Sequence, residues 1–223
     1  MADIRLLNNG TVGGNYIDWQ GLLGAGKVMD WKQAALYEGR IFNATVGTLS
    51  TGIVGGGNGT VLDLDQPEFV ISIPNGTTVI PINFSIQGNC DDAIADHSVL
   101  EALICYSLLY TLASGTYTTE TPICMKTVGG RSSVCTVVSA ATGDTLSSSG
   151  SDFVHDIDLA RAEVKVDLPA NGETPFILRL DYVPDPAPYL VGPGSITGYW
   201  GGTSAVTGYA QLYWAEFATS ELF

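Results

Sequence analysis

A chain of 223 residues with 45% hydrophobic and 14% charged content can bury a sizeable core, which excludes intrinsic disorder. Nine Lys and Arg stand against 23 Asp and Glu, a formal net charge of −14 at a pI near 4.2, and no three basic residues run together. That distribution disfavours direct nucleic-acid binding, which needs clustered cations, and reads as a solubilising surface that keeps copies apart until specific contacts form.

Residues 1–62 read as an N-terminal arm or extension. They hold a strand candidate at Ile4 to Leu7, a glycine-rich passage, a short helix over Trp31 to Tyr37, a strand over Arg40 to Leu49, and then Gly55-Gly56-Gly57-Asn58-Gly59. Residues 63–223 read as one β-sandwich. Strands are expected over Phe69 to Ile73, Val79 to Gln87, Val99 to Leu112, Pro122 to Lys126, Val134 to Ala140, Val154 to Leu159, Ala162 to Leu168, Phe176 to Tyr182, Ser195 to Trp200 and Thr207 to Phe217.

Phe69 to Gln87, FVISIPNGTTVIPINFSIQ, carries the strongest pattern. Ile80, Ile82, Phe84 and Ile86 alternate with Pro81, Asn83, Ser85 and Gln87, the period of a half-buried strand, and Pro74-Asn75-Gly76 supplies a turn before them. Val164, Val166 and Leu168, and then Phe176, Leu178, Leu180 and Tyr182, alternate as cleanly, with a turn at Asn171-Gly172 between them. Val99 to Leu112 fits either a strand buried on both faces or a helix capped by Asp96; we assign it as strand. Ten or so strands in this length suit a two-sheet sandwich, jelly roll included, although strand count does not separate jelly-roll from immunoglobulin-like order.

The first ten residues, MADIRLLNNG, lack the basic and apolar regions of a secretory signal, and Val99 to Leu112 is too short to span a bilayer. Cys90, Cys105, Cys124 and Cys135 are too few for a disulfide scaffold; Cys124 and Cys135 could pair, but reduced thiols are the favoured reading. The Asn-x-Ser/Thr matches at Asn9, Asn43, Asn58, Asn75 and Asn83 read as products of turn chemistry.

Chemistry-bearing motifs are weak. Gly21 to Lys27, GLLGAGK, fits a P-loop pattern, yet Val28 stands where a Mg²⁺-binding hydroxyl is required, and no buried strand and long helix flank it. Cys90, Asp91, Asp92, Asp96 and His97, and His155 among Asp152, Asp156 and Asp158, match no metal-ligand spacing. With two histidines and no G-x-S-x-G, a Ser-His-Asp site has little support. No catalytic, cofactor-binding or metal-binding residue is therefore assigned, no cofactor is expected, and the chain is not expected to be an enzyme. Tyr199, Trp200, Tyr209, Tyr213 and Trp214 could stack on sugar rings, or alternate into the core and into subunit contacts; the second reading is favoured.

FVISIPNGTTVIPINFSIQ, together with GYAQLYWAEF at Gly208 to Phe217, resembles the capsid proteins of icosahedral viruses built on a single jelly roll. In style it is similar to the upright single-jelly-roll proteins of tailless double-stranded DNA phages, whose shells surround an internal membrane. The resemblance covers residues 66 to 217. It implies an all-β jelly-roll sandwich with an extended N-terminal arm, acting as a structural virion protein that self-assembles into an icosahedral shell through sandwich edges, loops and arm exchange. The implied partners are capsid neighbours of the same chain and other capsid or spike proteins, with no direct nucleic acid, and with a membrane only as an underlying layer. The implied location is the virion, assembled in the host cytoplasm. The alternative reading is a carbohydrate-binding or adhesin-like β-sandwich module.

Overall fold

The computed structural model describes residues 16–18, 27–55, 62–64, 66–90, 98–108, 111–114, 117–139, 145–147, 156–166, 176–203 and 206–222. In chain order the elements are β1 (Tyr16–Asp18), β2 (Lys27–Met29), α1 (Trp31–Tyr37), β3 (Ile41–Val46), β4 (Ile53–Val54), β5 (Phe69–Ile73), β6 (Thr77–Cys90) and β7 (Ser98–Leu108). There follow β8 (Thr111–Ser114), β9 (Thr118–Glu120), β10 (Ile123–Cys124), β11 (Thr136–Ser139), β12 (Thr145–Ser147), β13 (Ile157–Val166) and β14 (Phe176–Tyr182). The chain closes with β15 (Leu190–Val191), β16 (Gly194–Gly202), β17 (Thr207–Ala218) and α2 (Thr219–Leu222).

Two antiparallel sheets form a β-sandwich. The first runs β10-β3-β17-β6-β14, with β4 beside β17 and β15 beside β6; the second runs β13-β7-β16-β5-β11-β9. Two small ladders, β1 with β2 and β8 with β12, stand apart from both. Eight strands have five residues or more: β3, β5, β6, β7, β13, β14, β16 and β17. Counted first to eighth along the chain, they order as 1-8-3-6 in one sheet and 2-7-4-5 in the other, so every link except the fourth to the fifth crosses between sheets.

That order changes the meaning of the Pro74-Asn75-Gly76 turn. Gly76 has φ +78 and Thr77 N donates to Pro74 O at 3.2 Å, so the tight turn forms as its residues dictate. Yet β5 and β6 lie in different sheets, so the turn is a corner rather than a hairpin. Around it, Gly192 N donates to Thr77 O and Thr219 N to Gly76 O, both at 2.8 Å.

The alternation in β6 does not stay on one face. Tyr213 of β17 lies opposite Asn83, but Trp214 lies opposite Pro81, so Ile82 is one residue too many. Proline has no N–H for the ladder, and a bulge is where a central strand accommodates it. Ile80 and Ile82 accordingly face outward, packing with Ala35, Ile41 and Phe217 under α1, while Phe84 and Ile86 face the core.

The core lies between the sheets and is built on Phe42, Phe69, Phe84, Trp200 and Trp214 among aliphatic side chains. Phe42 and Trp214 are tilted together at 6.2 Å, and Phe69 and Trp200 at 6.5 Å, both within the range of favourable ring pairs. Gly198 makes room for Phe69: a Cβ there would lie 1.9 Å from the ring. Val154 to Leu159 and Ala162 to Leu168, expected as two strands, are joined within the described residues as β13, its ladder with β7 shifted between Asp158 and Ala160.

Part of the segment assigned to the arm belongs to the sandwich. α1 forms over the expected Trp31 to Tyr37, with Asp30 capping Lys32 N at 2.9 Å. Gly39, at φ +71, ends it: Arg40 N donates to Ala35 O and Gly39 N to Leu36 O, the paired bonds of a Schellman turn. The chain then enters β3, which lies between β10 and β17, so a boundary at residue 62 cuts through a sheet. A strand preceding its glycine-rich neighbour looks like part of an extension when only local composition is read. The strand candidate at Ile4 to Leu7 lies outside the described residues.

Candidate functional site

The Schellman turn delivers Arg40 to the mouth of a groove of about 200 Å³, walled by the end of β17, by α2 and by residues 131–134. Arg40 is buried against the Phe217 ring, 5.1 Å from its centroid, and binds Glu38 through Nε and Glu221 through both terminal nitrogens. This two-pronged contact suits the fixed fork of a guanidinium. Hydrogen bonding to Arg40 holds the Glu221 carboxyl below its ordinary value, and the reciprocal bond raises Arg40.

Glu216 also lines the groove, a buried carboxylate with three donors. Oε1 accepts from Ser133 Oγ and from Trp214 Nε1 at 2.8 Å, and Oε2 accepts from Val134 N at 3.0 Å. A buried charge is tolerated only with such partners. The result fastens the 131–134 segment onto β17. Beneath it the Cys135 thiol is pushed up by burial and by the charge of Glu216. A second buried carboxylate, Glu68, accepts Trp200 N at 2.9 Å just past the last β5–β16 pair, at Gly198 and Phe69, and so continues the ladder with a side chain.

Arg40 and Glu221 thus bind each other, while Glu216 binds the side chains of Ser133 and Trp214 and the backbone of Val134. Sequence reading missed this trio. The available signal was Glu216 itself, a carboxylate inside the apolar run YWAEF, with Arg40 one step before a strand.

The residues weighed for other chemistry are scattered. Gly21 to Gly26 of the P-loop match, Asp91 to His97, Asp152 and His155 lie outside the described residues; Lys27 starts β2, and Asp156 and Asp158 sit at the start of β13. Among the described residues no three His, Cys, Asp or Glu gather as a metal site. Cys105, Cys124 and Cys135 are free thiols, and burial raises Cys105 to about 12. Trp200, Trp214 and Tyr199 are buried in or against the sheets, while Tyr209 and Tyr213 are half-buried, so the aromatic cluster does not form an exposed stacking platform. Asn43 and Asn83 lie within strands, and Asn75 is exposed at its turn; Asn9 and Asn58 lie outside the described residues.

Exposed apolar side chains lie on both flanks of the sandwich, and Leu49, between β3 and β4, is exposed away from them. Between β7 and β13 the chain inserts residues 109–156, whose β9 and β11 extend the second sheet beyond β5 and whose β10 extends the first beyond β3. On this flank Ile123, Met125 and Val128 are exposed, Val128 at 81%. On the opposite flank, where β13 packs beside β14, Leu108, Ile157 and Val183 are exposed. No helix among the described residues is long and apolar enough to cross a membrane. Comparison with protein-family models, curated proteins and solved structures finds no match to this chain.

Proposed function

We propose that this β-sandwich is a jelly roll and that the protein is a structural virion protein, a capsid subunit that self-associates into a shell. The observation that carries the proposal is the strand order. Eight strands ordered 1-8-3-6 and 2-7-4-5, with every link but the fourth to the fifth crossing between sheets, suit two interleaved Greek keys, the order expected of a jelly roll. Fold alone does not fix function, so the second support is the capsid-like style of Phe69 to Gln87 and Gly208 to Phe217.

Two features favour an assembling protein over a binding or catalytic one. Arg40, Glu216 and Glu221 of the groove are spent on internal contacts, and exposed apolar side chains lie along the sandwich flanks, where neighbours would meet.

Light scattering with electron microscopy of the purified protein tests this. Shells, rings or sheets of regular size support the reading. A strict monomer at every salt and pH that instead binds a glycan array overturns it.

A further inference from the structure

We propose that the two flanks of the sandwich are complementary halves of one head-to-tail contact between copies of this chain. The inference rests on the self-association reading above and names the surfaces that carry it.

The first half is the insert flank. In a chain with 23 carboxylates, residues 121–139 contain none, and they carry Lys126 and Arg131 beside the exposed Ile123, Met125 and Val128, while Glu120 just before them accepts from Ser139 Oγ at 2.9 Å. The second half has the opposite character. Residues 156–160 and 180–189 contain no Lys or Arg, and they carry Asp156, Asp158, Asp181 and Asp185 beside the exposed Ile157 and Val183. Arg161 and Arg179 border these stretches and are paired, Arg161 with Glu101 at 3.2 Å and Glu163 at 2.9 Å, and Arg179 with Asp181 at 2.6 Å.

The halves also lie at the same end of the sandwich. β10 pairs with the start of β3, at Phe42 and Asn43, close to where Ala218 of β17 meets Thr77 beside the corner turn. On the other flank, Ile157 lies opposite Tyr106, near the row of Ile73, Gly194 and Leu108 that leads into the same turn. Two copies standing side by side in one orientation therefore bring the cationic, apolar flank of one against the anionic, apolar flank of the next. Such a contact joins unlike surfaces, so it repeats from copy to copy and closes into rings or continues as an open filament. Opposite charge selects this pairing over a two-fold contact of like flanks, which sets cation against cation or carboxylate against carboxylate.

The test is a charge swap on the full chain. One variant carries Lys126→Asp and Arg131→Asp; the other carries Asp158→Lys and Asp185→Lys. Circular dichroism melting establishes that each is folded, and sedimentation velocity reads association. Each variant alone is expected to associate roughly tenfold more weakly than the unaltered protein, or worse. An equimolar mixture is expected to regain large species, because each altered flank then meets its complement. If both variants associate as the unaltered protein does, or if the folded mixture stays dissociated, the flank pairing is overturned while self-association stands. If the unaltered protein is itself monomeric throughout, the capsid reading fails, and this pairing with it.

Discussion

Trp214 and Glu216 lie two residues apart on β17, and the indole nitrogen of the first donates to the carboxylate of the second at 2.8 Å. The core's largest side chain on this strand is thereby tied to the groove that receives the 131–134 segment.

Truncating Glu216 to Ala removes the acceptor of three donors at once: the buried Trp214 Nε1 and the partly buried Ser133 Oγ and Val134 N. We expect Glu216→Ala to cost about 3 kcal/mol, and Glu216→Gln about 1 kcal/mol because an amide oxygen still accepts part of the set. Urea unfolding followed by tryptophan fluorescence measures both. Equal, small losses would mean that water replaces the carboxylate.

At Gly198 the Phe69 ring occupies the space of a Cβ. Gly198→Ala should cost about 3 kcal/mol, the upper range of overpacking, because rings and strand must both move. Adding Phe69→Leu removes the clash, so the double variant should lose less than the sum of the single losses. Additive losses in a double-mutant cycle would contradict this packing.

The Glu221 carboxyl is held below its ordinary value of 4.5 by its bond to Arg40. A group whose folded value is lowered stabilises the fold above its unfolded value, and that contribution is lost as pH falls through the folded one. Acidification below 4.5 should therefore weaken the anchoring of α2 onto Arg40. Glu221→Gln, which carries no such titration, should show a shallower fall of melting temperature on the acid side. Parallel acid profiles of the two proteins would remove the bridge from the account.

Truncation separates arm from sandwich. Because β3 lies between β10 and β17, deleting residues 1–60 removes a strand from the interior of the sheet order and should abolish cooperative unfolding. Deleting residues 1–29 leaves α1, β3 and every sandwich strand in place, and should preserve a cooperative melt. A sharp transition in the longer truncation would show that β3 is dispensable.

Local pattern makes some elements legible to the residue. Phe69–Ile73 and Phe176–Tyr182 alternate cleanly and end at turn residues, and Trp31–Tyr37 sits between an Asp cap and a Gly stop. What escapes is anything set by pairing at a distance. An Asn-Gly turn is the same locally whether its strands pair or part, so the turn at residues 74–76 is legible from sequence and its being a corner is not. The phase change in β6 is hidden because Ile80, Ile82, Phe84 and Ile86 are equally apolar, and only the extra residue opposite β17 reveals that two point out and two point in. Arg40, Glu216 and Glu221 converge across 181 residues of chain, a separation no local spacing can encode.

The place of β17 between β3 and β6 bears on the order of events during synthesis. Its two neighbours do not pair with each other, and each must wait with an unsatisfied edge until the latest strand of the sheet has left the ribosome. The first sheet thus cannot zip up progressively behind the growing chain. Its centre closes in a late step, which slows folding and leaves one edge each of β3 and β6 open until that step is done.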